Sequence, residues 1–494
     1  MSSLFSRRDF VRTATVAGAA TLVGLRGLPS TFPSRQGWHS GALAGNALRR
    51  MPEASPSNLV LTAAAGTADF GGVTGPVYAL NGSVPSPLLR TRQGEAFKVK
   101  MINRLKTPFI IHWHGLTPPQ HSDGHPCTAV DAGATYDYAF TLEERPGLYW
   151  YHSHTHMHVS EHTFKGIGGL ILVEDPNEEL MGLPTGDREI PLILQDRQVD
   201  ADGRPHYPDE GYGYMAGYMG PESFGNGVHR PHLELDSALY RFRVLNGSNA
   251  RVFRLERSDG RPLVIIGNDG GLLERPASAR YIDLAPGERL DLLVDLSDVE
   301  PGESVMLRSA PFEMAHDSQE MLAMGTRQGD PMDLIELRVT RRVRERMVVP
   351  RAFSTIGGPD PAKAVRERKF RFASDRDYWT RSMMQHGING KMFEMDRIDE
   401  YVPFGETEIW TFVNDDRYAH PVHIHATHFK VITRTGGRGR VMPWEQGLKD
   451  IVMMLPGETV KIAVRFTAHR GLFLLHCHNL EHEDAGMMMN FMVE

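Results

Sequence analysis

Three widely separated stretches of the chain repeat one pattern, a turn glycine followed by a strand of alternating character. They are Ala132 to Phe140 (AGATYDYAF), Ala285 to Leu293 (APGERLDLL) and Leu455 to Ala463 (LPGETVKIA). A second echo precedes each one: KVKMIN, FRVLN and WTFVN end at Asn103, Asn246 and Asn414. Repeats this long mark tandem copies of one β-domain rather than the turns of a solenoid. Short β-type runs bounded by turn residues supply further strands, at Leu59 to Ala63, Phe97 to Leu105, Tyr136 to Leu142, Gly147 to His152 and Gly169 to Val173. The expectation is therefore all-β, with three tandem Greek-key sandwich or barrel domains. A chain of 494 residues is too long for one ordinary core, in keeping with that division. The predicted limits are 55–176, 188–345 and 365–494. NEELMGLPTGD, between Pro176 and Asp187, reads as the first linker, and the basic, Pro/Gly-containing stretch from Arg341 to Arg366 as the second. That basic run reads as a solvated connector.

Metal-type residues fall into four blocks. His112 and His114 lie in IHWHGL, His152 and His154 in WYHSHTH, and His420, His423 and His425 in HPVHIHATHF. The fourth block, HCHNLEHEDAGMM from His476 to Met488, holds one of only two cysteines. Alternate side chains of an extended segment face opposite ways. Cys477 must then point to one side of its strand while His476 and His478 point to the other, so one strand can serve two metal centres. Cys477 and His482 are five apart, and Met487 follows five further on. A thiolate, two imidazoles and a weak axial thioether make the blue-copper donor set.

HWHG, HSH, HPVHIH and HCHNLEHEDAGMM, in this order, resemble the four copper signatures of the multicopper oxidases, which include laccases and bacterial cuprous oxidases. The resemblance spans nearly the whole of the chain after its leader and implies three cupredoxin domains holding four copper ions. It implies that His420, Cys477 and His482, with Met487 axial, bind a type 1 copper. His112 and His423 would hold the type 2 copper, and His114, His152, His154, His425, His476 and His478 the type 3 pair. Glu483 and Asp123 match the acids that deliver protons to the cluster. The implied activity is laccase-like: one-electron oxidation of phenols or aromatic amines coupled to reduction of O2 to water. A periplasmic cuprous oxidase in copper tolerance is the alternative, and a copper-binding or structural envelope protein without turnover is a reading of another class. The complete ligand set argues against a structural protein; a copper-storage or resistance binder would keep the ligands, and bound copper without oxygen uptake would distinguish it.

The remaining features set the context. Ser6 to Val11 (SRRDFV), followed by an apolar run from Thr13 to Leu25, resembles a twin-arginine export signal within a leader of residues 1–45, predicting a periplasmic or otherwise exported protein. The run is too short and too rich in Ala and Gly for a stable membrane span. The formal net charge of -7 gives no sign of nucleic-acid binding, and a monomer is the default. With Cys477 taken as a ligand, Cys127 has no intramolecular partner and reads as a small buried hydrophobe. His125, His156, His158, His162 and His428 are surplus to the ligand set and read as supporting or surface groups. Met314, Met321, Met324 and Met332, beside His316, form either a Cu(I)-binding patch or adaptable packing. Between Phe429 and Lys449 there is only Met442, so no Met-rich cover over the type 1 site is expected there, and an open site favours organic donors. The middle domain carries none of the four blocks; its expected role is to hold the other two in register.

Overall fold

The computed structural model describes residues 46–207, 216–313, 326–344, 348–353, 355–374 and 386–494. The leader, with its twin-arginine motif, and Met314, His316, Met321 and Met324 lie outside the described residues. Six sheets account for the rest, two to each third of the chain. Among the described residues the α-helices are short, at Val159–Phe164, Pro176–Leu180 and Leu480–Asp484. The fold is all-β, in three successive sheet pairs.

The repeats in the sequence correspond to one module built three times. Leu59–Asp69 pairs parallel with Ala96–Asn103, which pairs antiparallel with Thr135–Thr141. Glu189–Arg197, Leu239–Asn246 and Arg289–Asp295 repeat that order, as do Ala364–Ser374, Thr407–Asn414 and Thr459–Arg465. The asparagine ending each central strand explains the second echo. Its amide nitrogen donates to two carbonyls: Thr107 and Val130 from Asn103, Arg251 and Leu284 from Asn246, Tyr418 and Met454 from Asn414. Its side-chain oxygen accepts from the backbone N–H two residues on, at Leu105, Ser248 and Asp416. The turn glycines Gly133, Gly287 and Gly457 have φ of 85°, 82° and 75° and donate their N–H to the carbonyls of Asn103, Asn246 and Asn414. Only a residue tolerant of the left-handed region fits that turn.

Each pair encloses its own core. Trp113, Phe97 and Tyr138 anchor the first, Phe242, Leu292 and Leu337 the middle, and Trp410, Phe412 and Phe491 the third. Smaller clusters join them. Met51, Leu88, Leu148, Trp150, Leu170 and Leu172 of the first pair pack on Ile193 and Leu245 of the middle pair. Val252 and Ala285 of the middle pair meet Ala419 and Met453 of the third.

The stretch predicted as the first linker does more than connect. Its helix, Pro176–Leu180, places Glu178 in a buried ionic cluster with Arg241, Arg243 and Asp291 of the middle pair. Such a cluster is a weak source of net stability, but removing one member strands a buried charge. The segment from Phe429 to Lys449 likewise turns inward: Met442 and Trp444 are buried in the middle pair's core.

The asparagine module gives a stability prediction. Asn246→Ala leaves two buried carbonyls and one buried N–H without partners, and a loss of about 2–4 kcal/mol is expected. Denaturant unfolding of the variant beside the parent measures it; an unchanged midpoint would contradict the assigned role.

Candidate metal centres

Four strands, with the residues just past their ends, position all the candidate ligands but His482 and Met487. We label Ile111–His114 β1, Gly147–Ser153 β2, His420–Ile424 β3 and Gly471–Cys477 β4. β1 and β2 pair with His112 opposite His152; β3 and β4 pair with His423 opposite His476 and Val422 opposite Cys477. Alternation along β4 acts as expected. Cys477 lies in the third pair's core with Met487, while His476 and His478 face the histidines of the first pair. All ten histidines, Cys477 and Met487 are buried.

The thiolate group is compact. Cys477 Sγ lies 3.4 Å from His420 Nδ1 and 3.8 Å from His482 Nδ1, and the two ring nitrogens are 3.3 Å apart. The helix Leu480–Asp484, begun by Asn479, carries His482 back toward Cys477, and the backbone of Met487 accepts from Cys477 N–H. Burial pushes the Cys477 thiol well above its ordinary range, so a metal ion binding there would displace a proton.

The other eight histidines converge between the first and third pairs. His114, His152 and His478 form one group, His154, His425 and His476 a second, and His112 and His423, with His114 beside them, a third; within a group the ring nitrogens lie within 4.8 Å of one another. Their tautomers follow from their outer partners. A carbonyl can only accept, so His112 and His423, whose Nδ1 atoms lie 2.7 Å and 2.8 Å from the carbonyls of Asp123 and Asp450, carry their proton on Nδ1. Their Nε2 lone pairs face each other at 3.4 Å. The same reasoning applies to His476, held by the Cys477 carbonyl; His425 Nδ1 lies 2.7 Å from Asp123 Oδ2, and the Nε2 atoms of His476 and His425 are 3.1 Å apart. His152 donates Nδ1–H to the Ser153 carbonyl, leaving Nε2 without a protein partner, and His114 Nδ1 is likewise unpartnered.

Burial, and then the neighbouring rings, hold His112, His114, His154 and His478 well below the ordinary histidine range, and His152 at about 3. These rings are neutral. Neutral imidazoles with lone pairs aimed at one another in a dry interior are costly unless a cation lies between them. The residues therefore fit a metal of borderline softness such as copper, and the outer hydrogen bonds are those that orient such ligands.

Both predicted acids lie beside the cluster. Asp123 is fully buried, and burial pushes its carboxyl well above the usual range. Glu483 Oε1 and Oε2 lie 3.5 Å and 3.1 Å from His154 Nε2 and His476 Nδ1. The surplus histidines join none of the metal-type groups. His162 bonds Ser153 and Thr107, His125 bonds Asn490, His158 stacks on His162, His156 meets Phe393, and His428 lies 3.6 Å from Asp450. Cys127 corrects an expectation: it is exposed, in the turn Pro126–Thr128, rather than a buried hydrophobe.

Sequence reasoning missed several groups. Asp450 Oδ1 lies 3.1 Å from His114 Nε2, and Arg289 of the middle pair grips the same carboxylate. Burial alone would raise the Asp450 carboxyl, but Arg289 and then His114 hold it well below the usual range. Asp416 Oδ2 lies 3.3 Å from His420 Nε2, and the buried His386 ring stacks on His482 at 4.1 Å. Arg289 lies in the repeated stretch Ala285 to Leu293, but threonine (Thr135, Thr459) takes its place in the other two copies; of the rest, only the position of Asp450, one residue before the strand that pairs with β3, is a signal.

Paired sandwiches joining a thiolate–imidazole site to a cluster of eight imidazoles define a copper-dependent oxidoreductase. Multicopper oxidase family models match residues 62–178 and 360–494. The chain is 28% identical over 473 residues to a laccase of Bacillus subtilis, covering 83% of this chain and 89% of the relative. It is 31% identical to a bilirubin oxidase of Albifimbria verrucaria, over 83% of this chain and 72% of that one. The crystal structure of the McoA multicopper oxidase from Aquifex aeolicus superposes with a TM-score of 0.82 at 31% identity, covering 92% of this chain and all of the other. The chain belongs to the multicopper oxidase family. It is an oxygen-using oxidoreductase with the family's cupredoxin-like fold.

Because the Asp123 side chain holds His425 Nδ1, while its main-chain carbonyl on His112 survives substitution, Asp123→Ala frees His425 alone and is expected to weaken metal uptake by the histidine cluster about 10- to 100-fold. Metal analysis after dialysis against graded chelator measures this; full occupancy at parental chelator concentrations would contradict it.

Proposed function

We propose that the protein is a laccase-like oxidase, taking single electrons from phenols or aromatic amines at the Cys477 site and delivering them to O2 at the histidine cluster. On this reading the domains run over 55–176, 188–345 and 365–494. His420, Cys477 and His482, with Met487, would hold the type 1 copper; His112 and His423 would hold the type 2. His114, His152 and His478 take one ion of the type 3 pair, and His154, His425 and His476 the other. The four copper ions, when bound, supply one-electron storage at the first site and reduction of O2 to water at the second.

The chain's own residues account for the coupling. Cys477 lies between His476 and His478 in sequence, so two peptide links join the donor site to the cluster. Glu483, against His154 and His476, and Asp123, against His425, are the carboxyls placed to hold protons for the oxygen atoms. Burial of every ligand excludes bulk water from the cluster. The SRRDFV leader supports export by the twin-arginine machinery, with the oxidase working outside the cytoplasm as a monomer. Among the described residues no helix is long and apolar enough to cross a membrane.

The observation that favours organic donors is the course of Phe429 to Lys449. Its one methionine, Met442, is buried in the middle pair's core with Trp444 instead of facing the Cys477 site. Met332 is buried in the same core, which supports packing as its role.

Two outcomes are expected. Cys477→Ser abolishes the blue colour and O2 consumption, because serine offers no thiolate; a blue or active variant would exclude Cys477 as the type 1 ligand. Oxygen uptake by the copper-loaded protein is rapid with a phenolic donor and no added Cu(II). Uptake with Cu(I) only, or with phenol only after adding Cu(II), would move the assignment to cuprous oxidase.

A further inference from the structure

Arg289 is fully buried and each of its five side-chain N–H donors has an acceptor. Nε donates to the carbonyl of Leu148 in the first pair, at 3.2 Å. One Nη1 hydrogen goes to the Gly287 carbonyl at 3.2 Å and one Nη2 hydrogen to the Asp269 carbonyl at 3.1 Å, both in the middle pair. The remaining two form a fork on the third pair's Asp450, Nη1 on Oδ1 at 2.7 Å and Nη2 on Oδ2. A single guanidinium thus fixes groups from all three sheet pairs.

What it grips matters more than how many groups it touches. Asp450 Oδ1 also accepts from His114 Nε2, so the proton of His114 is kept on the outer nitrogen and Nδ1 faces the cluster. The Asp450 carbonyl accepts from His423 Nδ1, at 2.8 Å, which turns Nε2 of that ring inward. One residue therefore orients two histidines assigned to different copper ions. The space beside them is shaped for the pair: a Cβ on Gly115, next to His114, would lie 2.6 Å from Asp450 Oδ2 and 2.7 Å from Arg289 Nη2. Behind it, Asp269 accepts from Arg289 N–H and contacts Lys449, which also reaches Glu288, so the guanidinium is held in a buried network of opposite charges.

We propose that Arg289 is a positioning residue for the histidine cluster: through its fork on Asp450 it fixes the orientation of His114 and His423, so that the middle domain, which supplies no ligand, governs assembly of the trinuclear site. The inference rests on the copper assignment above. Lysine keeps the charge but offers one nitrogen in place of a planar fork, and cannot bind both carboxylate oxygens while reaching Leu148, Gly287 and Asp269.

The test is spectroscopic and uses the copper-loaded full-length protein. In Arg289→Lys and Arg289→Gln the blue absorbance should persist, since Arg289 makes no hydrogen bond to His420, Cys477, His482 or Met487. The near-ultraviolet absorption of the coupled pair should be lost, with copper depleted from the cluster or newly visible by electron paramagnetic resonance. Oxygen turnover should fall about 10- to 100-fold. Retention of both absorptions with unchanged turnover overturns the proposal. So does parallel loss of both absorptions with folded protein, the sign of a merely structural role. Parent protein that shows neither absorption after copper loading would instead refute the oxidase assignment, and this inference with it.

Discussion

The two-residue period of one strand organises this molecule. Gly471–Cys477 can send Cys477 into the third pair's core only by sending His476 and His478 to the opposite face, where the first pair's histidines meet them. A one-residue slip would reverse both assignments. The register is therefore pinned on both flanks: Val422 lies opposite Cys477 on one side, and Met488 lies opposite His476 on the other. The Cys477 site is bound to the histidine cluster by covalent geometry.

That constraint has a cost, which the surroundings offset. Eight imidazoles with converging ring nitrogens lie in a water-excluding interface, an arrangement with little intrinsic stability. The hydrogen bonds that fix their tautomers come mostly from main-chain carbonyls, of Asp123, Ser153, Asp450 and Cys477, which do not titrate. Side-chain acids contact two more, His114 and His425. Backbone acceptors hold the ring orientations independent of pH, while the carboxylates remain available for protons or for positive charge. The middle pair enters this scheme through Arg289, which refines the expectation that it only keeps its neighbours in register.

Much of this was legible in the sequence because it repeats or alternates. The echoes ending at Asn103, Asn246 and Asn414 mark identical buried amide networks, and a local network with fixed chain offsets leaves the same residues each time. The HxH spacings were legible because strand geometry alone puts two side chains on one face. Asp450, Arg289 and His386 were not, since their partners are brought from other sheets or distant segments and no local period constrains them. Glu178 was hidden differently: it sits in a stretch whose Gly and Pro content reads as a connector, and only packing against Arg241 and Arg243 shows its burial. Cys127 was misjudged because cysteine is so often buried; the turn around Pro126 faces it outward.

The central claim is that single electrons collected at Cys477 are spent together on oxygen at the cluster. Its most direct test is the stoichiometry of turnover, with donor oxidation and oxygen consumption followed together and peroxide assayed. The account predicts four one-electron donor molecules oxidised per O2, with no accumulation of peroxide. Two donors per O2 with equivalent peroxide, or tight copper binding without oxygen uptake, would contradict it.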